Sequence, residues 1–119
     1  MITELPYSGD TPAMRFILNG KLYDTKTSTP TAIARGAEDG NDADDMYTGA
    51  LSVRYEDVLY RTTRGAFFLH QHRTVKYSKG KPAVVDTADA LTPDEAVKWI
   101  ARDEAMILDA TGLELPEEA

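Results

Sequence analysis

Tyr55-Glu56-Asp57-Val58-Leu59-Tyr60-Arg61-Thr62-Thr63-Arg64-Gly65-Ala66-Phe67-Phe68-Leu69-His70-Gln71-His72 is the densest apolar stretch of the chain, and its reading decides the fold. Two runs rich in Val, Leu, Tyr, Phe and Thr flank a short break that ends in Gly65, the pattern of a β-hairpin. A two-residue type I′ loop needs positive φ at Arg64 as well as at Gly65, which Arg resists. A three-residue loop, Thr63-Arg64-Gly65, needs the left-handed region at Gly65 alone. That loop pairs Thr62 with Ala66, Tyr60 with Phe68, Val58 with His70 and Glu56 with His72. Side chains alternate along a strand, so Val58, Tyr60 and Phe68 share one face, while Leu59, Phe67 and Leu69 share the other. Both faces are apolar, which makes the hairpin central in its sheet rather than an edge.

Working outward, residues 1–12 hold Pro6, Gly9 and Pro12 without periodicity and read as a flexible N-terminal tail. Met14–Leu18 and Lys21–Asp24 are short strands joined by Asn19-Gly20, the strongest two-residue hairpin signal. The Thr-rich run to Thr31, with Pro30, reads as a loop, and Thr31–Ala34 as a short strand. Residues 36–49 carry Glu38, Asp39, Asp42, Asp44 and Asp45 among glycines and read as a solvated acidic loop. Beyond the central hairpin, residues 73–82 are polar and basic, and Ala83-Val84-Val85 adds a last short strand.

A helix begins after Thr92. Thr92 is the N-cap, Pro93 the first helical residue, and Glu95 completes a capping box. Gly112 is the natural stop. Ala96, Val97, Ile100, Ile107 and Leu108 line one side of that helix. Glu104 falls in the middle of the apolar side, whereas Trp99 and Met106 fall together on the polar flank. Two arrangements accommodate this. Either the helix breaks near Arg102-Asp103-Glu104, with Asp103 capping a second short helix and Trp99 packing on the sheet, or Trp99 and Met106 form an exposed partner-binding patch.

The fold class that follows is α+β. It is an antiparallel sheet of four to six short strands, with hairpins at Asn19-Gly20 and Thr63–Gly65, and the C-terminal helix packs on one face. The 119 residues make one domain over 13–112, with a C-terminal tail over 113–119. The chain has no cysteine, which excludes disulfides and thiolate chemistry. Nothing in it approaches the roughly 20 apolar residues that span a bilayer, and the start lacks the basic-then-apolar pattern of a signal peptide. A soluble, cytoplasmic protein with no membrane contact and no cofactor is expected.

Net charge is −7, but it is unevenly spread. Between Val58 and Val85 lie six basic residues and no acidic one: Arg61, Arg64, Arg73, Lys76, Lys79 and Lys81. The remainder holds 7 basic against 20 acidic residues.

Three stretches carry a resemblance: Asn19-Gly-Lys-Leu-Tyr-Asp-Thr25, Leu59-Tyr-Arg-Thr-Thr-Arg-Gly-Ala-Phe-Phe-Leu-His70 and Leu91-Thr-Pro-Asp-Glu-Ala-Val-Lys-Trp-Ile100. Together they resemble a family of small proteins of bacterial mobile elements and phages. Its members carry, in the same order, a KLYDT strand, an LYRT-xxG-xFFL hairpin and an LTxEEAxxWL helix. The resemblance spans 16–100, and this chain departs from it in the long acidic loop and the basic 73–81 stretch. It supplies no catalytic residues. It implies a protein that inhibits a host defence complex, anti-CRISPR proteins being one such class.

The sequence leaves three functional readings open. The first is a non-catalytic protein-binding module. Its acidic residues Asp39, Asp42, Asp44 and Asp45 would imitate nucleic-acid phosphates toward a basic, nucleic-acid-binding protein, with Trp99 and Met106 as further contacts. The acidic segment is no EF-hand loop, because the required Gly and the closing Glu are missing. The second is a nucleic-acid-binding accessory protein using the ribbon from Arg61 to Lys81 with its interleaved aromatics. The third is a small metal-dependent enzyme at His70 and His72, two residues apart on one strand face, with Glu56 opposite His72. No phosphate loop and no nucleophile motif speaks for catalysis, so a non-enzyme is expected.

Overall fold

Thr62 and Gly65 close the central hairpin. The Thr62 N–H donates to Ala66 O at 2.8 Å, the Gly65 N–H donates to Thr62 O at 2.9 Å, and Gly65 has φ of 85°. The three-residue loop is therefore the one adopted, and the pairs Tyr60–Phe68, Val58–His70 and Glu56–His72 all form. The computed structural model describes residues 12–117, so the tail read over 1–12 lies outside the described residues except for Pro12.

The described chain runs β1 (Arg15–Leu18), β2 (Lys21–Asp24), β3 (Thr29–Asp39), α1 (Gly40–Met46), β4 (Ala50–Arg61), β5 (Phe67–Tyr77), β6 (Ala83–Leu91), α2 (Pro93–Arg102) and β7 (Met106–Ile107). β1 and β2 form a two-stranded ribbon turned at Asn19 (φ 53°) and Gly20 (φ 76°), as the Asn-Gly pair dictates. The other five strands form one antiparallel sheet in the order β6-β5-β4-β3-β7. β4 and β5 hold its middle. No helix among the described residues is long and apolar enough to cross a membrane.

Both faces of the hairpin are covered. On one face Leu59, Phe67 and Leu69 pack with Ala32 and Ala34 against Ala96, Trp99 and Ile100 of α2. On the other, Val58, Tyr60 and Phe68 pack with Ile33 against Tyr23, with Phe16 and Leu18 of the β1–β2 ribbon beside them. Tyr60 stacks on Phe68 at 5.1 Å between centroids, and Tyr23 meets Phe68 edge-on at 5.2 Å. Each such pair contributes about 0.5–1.5 kcal/mol beyond the area it buries. A third cluster, Ala43, Ala50, Val53 and Val75, fastens α1 to the end of the sheet.

α2 begins as its sequence requires. Thr92 Oγ1 accepts the Glu95 N–H at 3.2 Å, and Glu95 Oε1 accepts the Thr92 N–H at 2.9 Å. These bonds to Thr92 hold the Glu95 carboxyl below its ordinary range. The helix does not run to Gly112. It stops at Arg102, because Glu104 turns into the left-handed region (φ 50°) and the Ala105 N–H closes back onto Ile100 O at 3.0 Å. The chain then pairs β7 with β3 instead of starting a second helix.

Two other segments differ from their sequence reading. Residues 36–49 are no loop: β3 continues to Asp39 and α1 follows, with Ala43 wholly buried beneath it. The strand that the sequence reads as Ala83–Val85, and as the last, is β6, nine residues long and continuing to Leu91, and β7 follows it in the same sheet. In the C-terminal stretch Leu113 packs against the α2 cluster, and Arg61 bonds Asp109 at 3.4 Å and Thr111 O at 3.0 Å. Hydrogen bonds from Thr111, with Arg61 beside them, hold the Asp109 carboxyl down at about 2.

Trp99 is 3% exposed, so it belongs to the core. Its emission will be blue-shifted and poorly quenched by iodide, and Trp99→Ala will cost about 3–5 kcal/mol in urea unfolding. Glu104 occupies a position that suits glycine. Because an L-residue there costs about 1–2 kcal/mol and glycine loses part of that gain in the unfolded chain, Glu104→Gly will raise stability by up to about 1 kcal/mol. Glu104→Val, β-branched at positive φ, will lower it in the same assay.

Candidate functional site

His70 and His72 lie two apart on β5 and so project from one face, the face that carries Val58, Tyr60 and Phe68. β6 runs antiparallel beside them. Its register sets Ala88 opposite His70 and Asp86 opposite His72. The Asp86 carboxylate lies between the two rings, with Oδ1 2.8 Å from His70 Nε2 and 2.7 Å from His72 Nδ1. An ionised carboxylate only accepts, so both ring nitrogens donate to it.

The environment is graded from core to surface. The His70 side chain is fully buried, whereas those of His72 and Asp86 keep 16% and 14% of their exposure. Phe16 of β1 stands edge-on to the His70 ring at 5.0 Å. His70 Nδ1 is buried and has no hydrogen-bond partner. Burial pushes the Asp86 carboxyl up, but the hydrogen bonds from His72 and His70, with their charge interactions, outweigh it and hold the group below its ordinary 3.8. The donor atoms of the three residues all lie within 4.8 Å of one another.

The third residue of this cluster differs from the one the sequence suggested. Glu56 does sit opposite His72, but it is buried and Arg35 approaches it at 3.7 Å. Asp86, on the far side of β5, joins the histidines. The turn in 78–82 held the signal. Gly80 takes positive φ (83°), and reading that turn as a hairpin sets Val75 opposite Ala83, hence His72 opposite Asp86.

The other candidate residues are dispersed. Trp99 is inside the core and does not lie beside Met106, which is 53% exposed on β7. Asp39, Asp42, Asp44 and Asp45 are all exposed around α1, and Asp44 Oδ1 accepts the Gly49 N–H at 2.7 Å. The basic residues form no continuous ribbon. Arg61 is committed to Asp109 and Thr111. Arg73 makes a two-toothed pair with Asp57 and lies 5.1 Å over the Tyr55 ring. Lys76 belongs to the opposite face of β5, while Arg64, Lys79 and Lys81 are exposed in the two connecting turns.

Comparison with protein-family models, with curated proteins and with solved structures returned no match.

The Asp86 carboxyl ionises more readily in the folded chain than in the unfolded one. Its contribution to stability is therefore complete above about pH 4 and is lost as pH falls through the depressed folded value. Asp86→Asn will cost about 1.5–3 kcal/mol at pH 6, the range for a hydrogen bond to a charged group. In urea titrations from pH 6 to 2.5, the gap between the two proteins will narrow below about pH 4.

Proposed function

We propose that this chain is a non-catalytic protein-binding module. Its acidic end, Asp39, Asp42, Asp44 and Asp45, docks on the basic surface of a protein that otherwise binds nucleic acid. The observation that carries this reading is the state of α1. Ala43 fastens the helix onto Ala50, Val53 and Val75, so the carboxylates project from a folded turn and not from a loose loop. No ion pair among the described residues uses any of the four. Negative charge held in fixed positions and not neutralised by a cation of the chain is what an imitation of a phosphate backbone requires.

The resemblance to proteins of mobile elements supports a host defence complex as the class of partner. The nucleic-acid reading draws less support, because Arg61 and Arg73 are committed to carboxylates of the chain itself.

The test is capture from a bacterial lysate followed by kinetics on the captured protein. Association will slow by at least about tenfold as salt rises from low to molar concentration, as for other electrostatically steered pairs. Changing Asp39, Asp42, Asp44 and Asp45 together to Asn will reduce the on-rate far more than it raises the off-rate. Binding indifferent to both overturns the proposal. A shift of bare DNA or RNA in a low-salt gel would favour the nucleic-acid reading instead.

A further inference from the structure

We infer that His70, His72 and Asp86 form a binding site for one divalent transition-metal ion of the Zn²⁺ class. The site is independent of the acidic end: α1 packs on Val53 and Val75, which share the α2 face, whereas the histidines face the β1–β2 ribbon.

The first support is convergence. Two imidazole nitrogens from one strand are aimed at a single point, and a carboxylate oxygen from the next strand occupies it, at 2.8 and 2.7 Å. A metal ion requires that aim, and strand pairing does not. Around an ion bound tetrahedrally at about 2.0–2.1 Å, donors stand roughly 3.3 Å apart. The two Asp86 contacts lengthen by about half an ångström, which a turn of that carboxylate on the outermost strand provides, and the two imidazole nitrogens, within 4.8 Å of each other, are brought to the same spacing by rotation of the partly exposed His72 ring.

The second support is the burial of His70. It lies on the face of Val58 and Phe68, fully enclosed and edge-on to Phe16, with Nδ1 unpartnered. A buried polar atom without a partner is destabilising, which an apolar side chain at this position would avoid. A metal on Nε2 leaves Nδ1 as it is, so it does not relieve that cost; what the enclosure supplies is a ring held in one orientation, with Nε2 kept toward Asp86.

The donor set then selects the ion. Two imidazoles and one carboxylate suit borderline first-row ions such as Zn²⁺, Co²⁺ and Ni²⁺. Ca²⁺ and Mg²⁺ ask for oxygen donors throughout. Three protein donors leave a coordination position free, and the partly exposed flank of His72 and Asp86 opens it to water.

The test uses the full chain, stripped with a chelator and titrated with Zn²⁺ by calorimetry and with Co²⁺ by visible absorption. The expected result is one ion per chain, a raised thermal midpoint and a Co²⁺ spectrum of nitrogen and oxygen ligation. Paramagnetic shifts of the ring protons of both histidines would report ligation directly, without any variant. His72→Gln and Asp86→Asn will each weaken binding by more than the roughly 10–100-fold that loss of an outer-shell partner brings. Asp42→Asn combined with Asp45→Asn will leave binding unchanged. No uptake, or uptake without shifts at both histidines, overturns the site. Binding that survives either single substitution, or that needs Asp42 and Asp45, overturns it as well.

Discussion

A hairpin that is apolar on both faces cannot be left half in water. β4 and β5 place Leu59, Phe67 and Leu69 on one side of the sheet and Val58, Tyr60 and Phe68 on the other. Each of these side chains contributes about 1.5–3 kcal/mol when fully removed from water, so both faces need a cover. α2 supplies one and the β1–β2 ribbon the other. β3 and β6 then flank the hairpin as strands with less apolar surface of their own. The same constraint puts His70 in the core. It occupies an alternating position on the ribbon face, so whatever stands there is buried whether polar or not.

The sequence announced those features that depend on local chemistry. Gly65 selects the hairpin loop and with it the register of every β4–β5 pair, and Asn19-Gly20 closes the first ribbon. Thr92 and Glu95 cap α2 through bonds that span three residues. Features that depend on partners far along the chain were less legible. Gly-Asn-Asp-Ala-Asp-Asp-Met is a weak helix former, and α1 exists because Ala43 fits against Val53 and Val75. β6 reads Ala-Val-Val-Asp-Thr-Ala-Asp-Ala-Leu, too small and polar to declare a full strand, and it is completed by pairing with β5. Asp86 stayed hidden with it. The end of α2 was concealed because Glu104, not glycine, takes the left-handed position, although its misfit on the apolar side of the wheel had marked the place.

Charge is divided between use inside the fold and display outside it. Asp57 and Arg73 satisfy each other near Tyr55, whose ring lies so close over Gly36 that a Cβ there would have to displace it. Arg61 serves the C-terminal stretch. The carboxylates around α1 are in no ion pair among the described residues, although Asp44 also holds the Gly49 N–H, and all four are displayed to solvent.

The order of the strands carries a consequence for how the chain reaches this state. β3, β4, β5 and β6 lie side by side in the order in which they occur, so each can pair with a neighbour already emerged. Such a meander closes short loops first, and short loops cost the least entropy to close. β7 alone reaches back across the whole meander, to Ala32 and Ile33. Its two pairs are the ones of longest sequence separation in the sheet. The contact with the largest closure entropy in the sheet is thus made by the strand with the fewest pairs, so β7 is the strand whose detachment would cost the sheet least.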